Sequence, residues 1–220
     1  MIYKNDNLII EYSENDAVYI NDIIITLSEN SERIMNFFKL TKLNSKVRIA
    51  IWDSVDSYRS QLEPQLLKVG KEYKEWMIAD TYDGNINMMA VSAVQTTKNR
   101  EDYSLAEFLE CVCHEFVHIC QKTLKGNASS WIWEMLATNL GNPSNKKIIP
   151  IDVTLDELNK NFDNIKNSYS IAYTIGQYLF ENCSDNHILK IVIDNNEDEI
   201  KNLFEKAKEW SFSKNIKKGK

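Results

Sequence analysis

The sequence has no long apolar run and no surplus of basic residues. Residues 1–20 alternate apolar with polar and charged residues, so neither a secretory signal nor a membrane-spanning helix is predicted. The formal net charge of −6 argues against the concentrated basic surface that nucleic acids and anionic membranes require. We therefore expect a cytoplasmic protein that binds neither nucleic acid nor membrane.

Cysteine is scarce, and repeats are missing. The four cysteines among 220 residues do not resemble a disulfide framework, so we expect reduced thiols. No internal repeat or low-complexity linker divides the chain, which is long enough to bury a core. We expect one domain over residues 1–212, with an N-terminal lobe over 1–100 and a C-terminal lobe over 101–212. Residues 213–220 would form a short basic tail.

The first hundred residues have the alternation of strands, whereas the remainder has the 3.6-residue period of helices. The predicted strands are 2–12, 17–27, 46–51, 76–79 and 86–91, the last two joined by a turn at Asp83-Gly84. The predicted helices begin at Ser28 or Ser31, at Ser54 (to about Val69), at Ser104, at Ser130 and at Thr154, or cover 169–180, 187–193 and 197–210. This pattern predicts an α+β fold with a mixed N-terminal lobe and a helical C-terminal lobe.

One helix carries an H-E-x-x-H motif, from His114 to His118. Ser104 and Glu107 form a capping box at its start, and apolar residues follow at helical spacing. The two histidines then lie one turn apart on one face, where both can bind one Zn²⁺. Glu115 is close enough to take a proton from a metal-bound water. The motif predicts a zinc hydrolase with one Zn²⁺ per chain.

The third zinc ligand is less evident. A catalytic zinc takes three protein ligands and keeps a fourth position open, but the only other histidine, His187, is far along the chain. The longer pattern H-E-x-x-H-x-x-G-x-x-H would need Gly at 121 and His at 124, where this chain has Gln121 and Leu124. We therefore expect a downstream carboxylate. The candidates are Glu134, which is the nearest, and Asp152, Asp156 and Glu157.

The motif and the segment Trp133-Glu134-Met135-Leu136-Ala137 together resemble the gluzincin zinc metallopeptidases, the peptidase MA-like families related to thermolysin and the zinc aminopeptidases. In those families a W-x-E-G-L-A-like helix supplies a Glu that completes the site. The resemblance, specific over residues 104–140, implies Glu134 as the third ligand, with Met135 replacing the usual Gly. It also implies a zincin-like fold, with the active-site helix between the lobes and residues 87–91 as an antiparallel edge strand that pairs with substrate.

The resemblance further implies how the reaction would proceed. Glu115 would be the general base, and a Tyr or His from the C-terminal half would stabilise the oxyanion. Tyr173 matches best, because Ala172-Tyr173 resembles the opening of the helix that closes the cleft; Tyr169 and His187 are the alternatives. Thermolysin-like members also have an Asp four residues after the ligand Glu, where this chain has Thr138.

These features predict a zinc-dependent metallopeptidase that acts on a peptide or protein substrate. No G-x-M-E-N-like stretch of the aminopeptidase kind is present, which favours an endopeptidase. The alternative is a zinc-binding module that recognises a partner through its cleft without useful turnover. The presence of Glu115 beside both histidines favours the enzyme.

Overall fold

The computed structural model describes residues 1–68, 70–141 and 146–216. Of residues 215 and 216 it describes the backbone alone. The chain divides into two compact units, Met1–Lys122 and Thr123–Lys220. The predicted boundary between the lobes lies at residue 100 of the chain. The boundary between these two units follows Lys122, just after the helix that carries the motif. Of the predicted basic tail, residues 217–220 lie outside the described part, as does Val69.

Among its described residues, the first unit contains a sheet, a short 3-10 helix at Glu14–Tyr19 and four α-helices. In chain order the strands and α-helices are β1 (Ile2–Lys4), β2 (Leu8–Glu11), α1 (Ile20–Phe37), β3 (Val47–Trp52), α2 (Val55–Lys68), β4 (Ala79–Tyr82), β5 (Asn85–Met89), α3 (Val91–Gln95) and α4 (Leu105–Gln121). The second unit is helical where it is described. Its helices are α5 (Ser130–Leu140), α6 (Leu155–Asn161), α7 (Ser168–Asn182), α8 (Asp185–Asp194) and α9 (Glu197–Ile216). The predicted α+β class is confirmed.

The five strands form one mixed sheet in the order β1-β2-β3-β5-β4. The central pairs β2-β3 and β3-β5 are parallel, and the outer pairs are antiparallel. The predicted turn at Asp83-Gly84 is confirmed, with both residues at positive φ, and it joins β4 to β5. Because β5 lies between β3 and β4, the expectation that residues 87–91 form the edge strand is wrong. The antiparallel edge strand beside it is β4.

The predicted strand at 17–27 is a helix. Three consecutive isoleucines, Ile23 to Ile25, favour a strand by their β-branched side chains. Their burial has helical spacing instead, since Ile23 and Leu27 are buried and Ile25 is half exposed. Ser28, predicted as a possible cap, lies inside α1 and donates its hydroxyl to the carbonyl of Ile25 at 2.7 Å. Packing against α4 therefore outweighs the local β-propensity.

Helix α4 begins as predicted. The Ser104 hydroxyl accepts from the backbone N–H of Glu107, and the Glu107 carboxylate accepts from the backbone N–H of Ser104 at 2.9 Å. Phe108 and Val112 are fully buried, and the Phe108 ring packs on Tyr19 of the first unit with centroids 5.3 Å apart. His114 and His118 remain half-buried. The helix is thus held on its apolar side and presents the two histidines on another.

In the second unit, α5 and α7 pack closely at Gly176. A Cβ built at Gly176 would lie 2.0 Å from Nδ2 of Asn139 and 3.0 Å from Cγ of Met135. The Asn139 amide is itself engaged, since it donates to the Met135 carbonyl at 2.7 Å and accepts from Gln177 at 2.8 Å. Only glycine allows this approach without displacing Asn139.

We therefore expect Gly176→Ala to destabilise the protein. The substitution gains about 1 kcal/mol of helix propensity, but overpacking costs about 1–3 kcal/mol. The lost Asn139 hydrogen bonds add to that cost, so the free energy of unfolding should fall by about 1–2 kcal/mol. Urea denaturation measures it. In an Asn139→Ala background the same substitution should cost less, and an alanine variant as stable as wild type would contradict this packing.

None of the helices in the described part of the chain is both long and apolar enough to cross a membrane. All four cysteines are free thiols, as predicted. Burial raises the pKa of Cys113 to about 11 and that of Cys120 to about 12. Both therefore remain protonated core residues at neutral pH.

Candidate metal centre

Three side chains of α4 converge at one point. One ring nitrogen each from His114 and His118 and one carboxylate oxygen of Glu115 lie within 4.8 Å of one another. The helix produces this arrangement, because residues four apart lie one above the other on the same face. These residues can therefore hold a metal ion. The motif predicted the two histidines as its ligands, with Glu115 as the general base beside them.

The histidine pair has the spacing of two ligands on one tetrahedral ion. The Nε2 atoms of His114 and His118 are 3.2 Å apart, with the rings nearly perpendicular. Two imidazole nitrogens at about 2.0–2.1 Å from a tetrahedral Zn²⁺ would be separated by about 3.3 Å. The donor set also suits zinc, because imidazole and carboxylate are among its common ligands. The residues present therefore fit a zinc ion.

Gln121 holds His118 in the orientation that zinc binding requires. The two side chains are joined by a contact of 2.6 Å between His118 Nδ1 and Gln121 Oε1. An amide oxygen only accepts, so Nδ1 carries the hydrogen and Nε2 presents its lone pair towards His114. Gln121 is buried, which keeps this hydrogen bond out of water. From the sequence alone, Gln121 is notable only as the residue at the Gly position of the longer H-E-x-x-H-x-x-G-x-x-H pattern.

Replacing Gln121 with leucine should weaken zinc binding. Leucine has a similar size but cannot accept the Nδ1 hydrogen, so the His118 ring loses its fixed tautomer and orientation. We expect zinc affinity to fall by about 10–100-fold, the usual effect of removing such a partner. Competition against a chromophoric chelator measures the affinity. Gln121→Glu, which keeps an acceptor, is the matched control, and an unchanged affinity in the leucine variant would refute this role.

Glu115 is held by a residue of the sheet. Glu115 is only 5% exposed, and its Oε2 accepts a hydrogen bond of 2.7 Å from the Thr81 hydroxyl on β4. A buried carboxylate without a partner would carry a large desolvation cost, which this hydrogen bond reduces. The sequence identified Glu115 from the motif. It gave no indication of Thr81, which is 34 residues away.

A second acidic group lies near Glu115. Asp80 accepts hydrogen bonds of 3.3 Å from the Tyr58 hydroxyl and from the Asn87 amide. Burial, and to a smaller extent the charge of Glu115, raise the pKa of Asp80 to about 7. Burial likewise raises the pKa of Tyr58. Near neutral pH Asp80 is therefore partly protonated, which limits the negative charge beside Glu115.

No family model, no curated protein and no solved structure matches this chain.

The remaining predicted site residues belong to the second unit. Glu134 is half-buried on α5, and Tyr173 is half-buried on α7, where burial raises the pKa of its phenol. Their roles as third ligand and oxyanion donor stay predictions. Thr138, at the position where thermolysin-like members have an Asp, donates its hydroxyl to the carbonyl of Glu134 at 2.7 Å. That hydroxyl serves the backbone of α5.

Four of the five alternative candidates interact with other residues of the second unit. The Glu157 carboxylate closes the capping box of α6 with Thr154 at 2.7 Å, and Asp156 forms an ion pair with Lys160 at 2.8 Å. His187 contacts Glu199 at 2.7 Å. The other two candidates are Asp152, which is exposed, and Tyr169, whose ring packs on Phe162.

Proposed function

We propose that this chain is a zinc-dependent metallopeptidase, with Glu115 as its general base. One observation carries the proposal. Two histidine nitrogens lie at the spacing of zinc ligands, and the carboxylate between them in sequence lies within 4.8 Å of both. The resemblance of residues 104–140 to the gluzincins supports the same assignment.

His114 and His118 would hold the zinc, together with Glu134 as the resemblance implies. A bound Zn²⁺ supplies a Lewis acid that polarises a carbonyl and lowers the pKa of water towards 7. Glu115 would accept the proton of the attacking water and return it to the leaving amine. Its position between the histidines suits this role, since a general base must lie within hydrogen-bond reach of the proton that it takes.

The edge of the sheet favours an extended peptide as the substrate. No strand of the described residues pairs with the outer edge of β4, which follows β5 at the end of the sheet. An extended peptide can add to such an edge through main-chain hydrogen bonds. Such pairing is independent of chain ends, which favours an endopeptidase. Because Thr81 of β4 contacts Glu115, a peptide bound there would lie next to the general base.

Cleavage of a peptide mixture tests this proposal. Zinc-loaded wild type, the same protein treated with chelator, and zinc-loaded Glu115→Gln are each incubated with peptides prepared from a proteome. Mass spectrometry then maps the new termini. We expect internal cleavages with the zinc-loaded wild type alone. If the wild type binds zinc and yet all three samples leave the peptides intact, the protein is a zinc-binding module without this activity.

A further inference from the structure

We infer that Thr81 is a positioning residue for Glu115: its hydroxyl fixes the carboxylate in the orientation that a general base needs. This inference rests on the proposed function, and nothing in the motif assigns a role to β4.

Thr81 is the polar member of an otherwise apolar row. The strand registers align Ile10 with Ile49, Ile49 with Ile86, and Ile86 with Thr81. Directly opposed residues point to the same face of a sheet, and the three isoleucines are completely buried. Valine would match the shape of threonine at this position. The hydroxyl therefore requires a reason other than packing, and its contact with Glu115 supplies one.

The hydrogen bond constrains the carboxylate directly. The Thr81 hydroxyl oxygen is 2.7 Å from Oε2 of Glu115 and 3.2 Å from the backbone carbonyl oxygen of the same residue. A hydroxyl has one hydrogen, and a carboxylate is the stronger acceptor, so the hydrogen points to Oε2. Glutamate has three rotatable side-chain bonds. With Oε2 held by Thr81, Oε1 is left to accept a proton.

The same residue also faces the open edge of the sheet. Met89 donates its backbone N–H to Ile78, and bonded and non-bonded pairs alternate along an antiparallel ladder. Thr81 and Ile86 lie three pairs further along the ladder, so they form a non-bonded pair. The backbone N–H and carbonyl of Thr81 therefore point away from β5, towards the open edge of the sheet. The Lys122 ammonium donates to that carbonyl at 3.3 Å, in agreement with this direction.

Thr81 therefore separates two tasks between its backbone and its side chain. Its backbone N–H points to the open edge, where a peptide can pair with β4, whereas its hydroxyl orients Glu115. Removing the hydroxyl should leave pairing intact and impair proton transfer. We expect a fall in kcat with little change in KM, a combination that a defect in substrate binding would not produce.

Kinetics of Thr81 variants test the inference, on a peptide that the wild type cleaves. Thr81→Val should lower kcat by about 10–100-fold, the effect of losing a hydrogen bond to a charged group. KM and zinc content should change by less than about two-fold. Thr81→Ser, which keeps the hydroxyl, should restore kcat. Thr97→Val is the matched control, because the Thr97 hydroxyl donates to the backbone carbonyl of Val94, at the end of α3. Thr81→Ala serves if the valine variant does not fold.

Crystal structures of the zinc-loaded wild type, Thr81→Ser and Thr81→Val proteins complete the test without requiring activity. We expect the Glu115 carboxylate to keep its position in the serine variant and to leave it in the valine variant. Failure to cleave any peptide would reject the proposed function alone, since these structures would still test the positioning. An unmoved carboxylate, an unchanged kcat, a rise in KM alone, or no rescue by serine would each overturn the inference.

Discussion

Replacing His118 with alanine should abolish stoichiometric zinc binding, whereas replacing His187 should leave it unchanged. His118 presents Nε2 towards His114 at 3.2 Å and is oriented by Gln121. Its loss therefore removes one of the two histidine ligands and leaves His114 as the other. The affinity should fall by more than the roughly 10–100-fold expected for loss of a supporting residue. Metal content after dialysis, measured by mass spectrometry, gives the stoichiometry directly.

His187 provides the matched control. It is the only histidine of the chain outside the motif, and it contacts Glu199. Its alanine variant carries the same loss of an imidazole without the loss of a ligand. If zinc content is the same in the His118 and His187 variants, the convergence of the α4 side chains does not form a metal site, and the proposed function falls with it.

Replacing Glu115 with glutamine should lower kcat by about 10²–10⁴-fold, the usual contribution of a general base. Glutamine has nearly the same shape and keeps an oxygen that accepts from the Thr81 hydroxyl. Its amide cannot take a proton near neutral pH, however, so the proton of the attacking water has no acceptor. Initial rates on one cleaved peptide measure the effect, and zinc content should remain at one ion per chain.

The control for this variant is Glu101→Gln. Glu101 is exposed and precedes the Ser104 cap of α4, so the substitution removes one negative charge outside the motif and outside its helix. Its kcat should stay within about two-fold of wild type. A Glu115→Gln protein that cleaves as fast as wild type would show that the proton is taken by another group, and Asp80 would be the first candidate.

The helical part of the fold follows closely from the sequence. Capping boxes at Ser104 and at Thr154 both form as predicted, with their Glu side chains returning to the backbone of the capping residue. These signals are local, since three residues separate the two partners in each case. The predicted start of α5 at Ser130 is also close, the structure placing its cap at Ser129. Local hydrogen bonds of this kind need no knowledge of the rest of the chain.

The strands were predicted less well, because their identity depends on distant partners. The prediction of a strand at residues 17–27 was wrong, because the burial of Ile23 and Leu27 against other elements decides between strand and helix. The strand predicted at 76–79 is shifted to Ala79–Tyr82. Residues 87–91 were wrongly placed at the sheet edge, because strand order is set by pairing across the sheet and leaves no mark on a single strand.

The sequence by itself determined the grouping of His114, Glu115 and His118. An α-helix fixes the relation of residues three and four apart, so the spacing of the motif already implies the geometry. Only the tertiary structure decided that Thr81 contacts Glu115, because that contact requires β4 to lie beside β5 and against α4. Residues separated by 34 positions come together through the packing of a sheet on a helix, which a one-dimensional pattern does not encode.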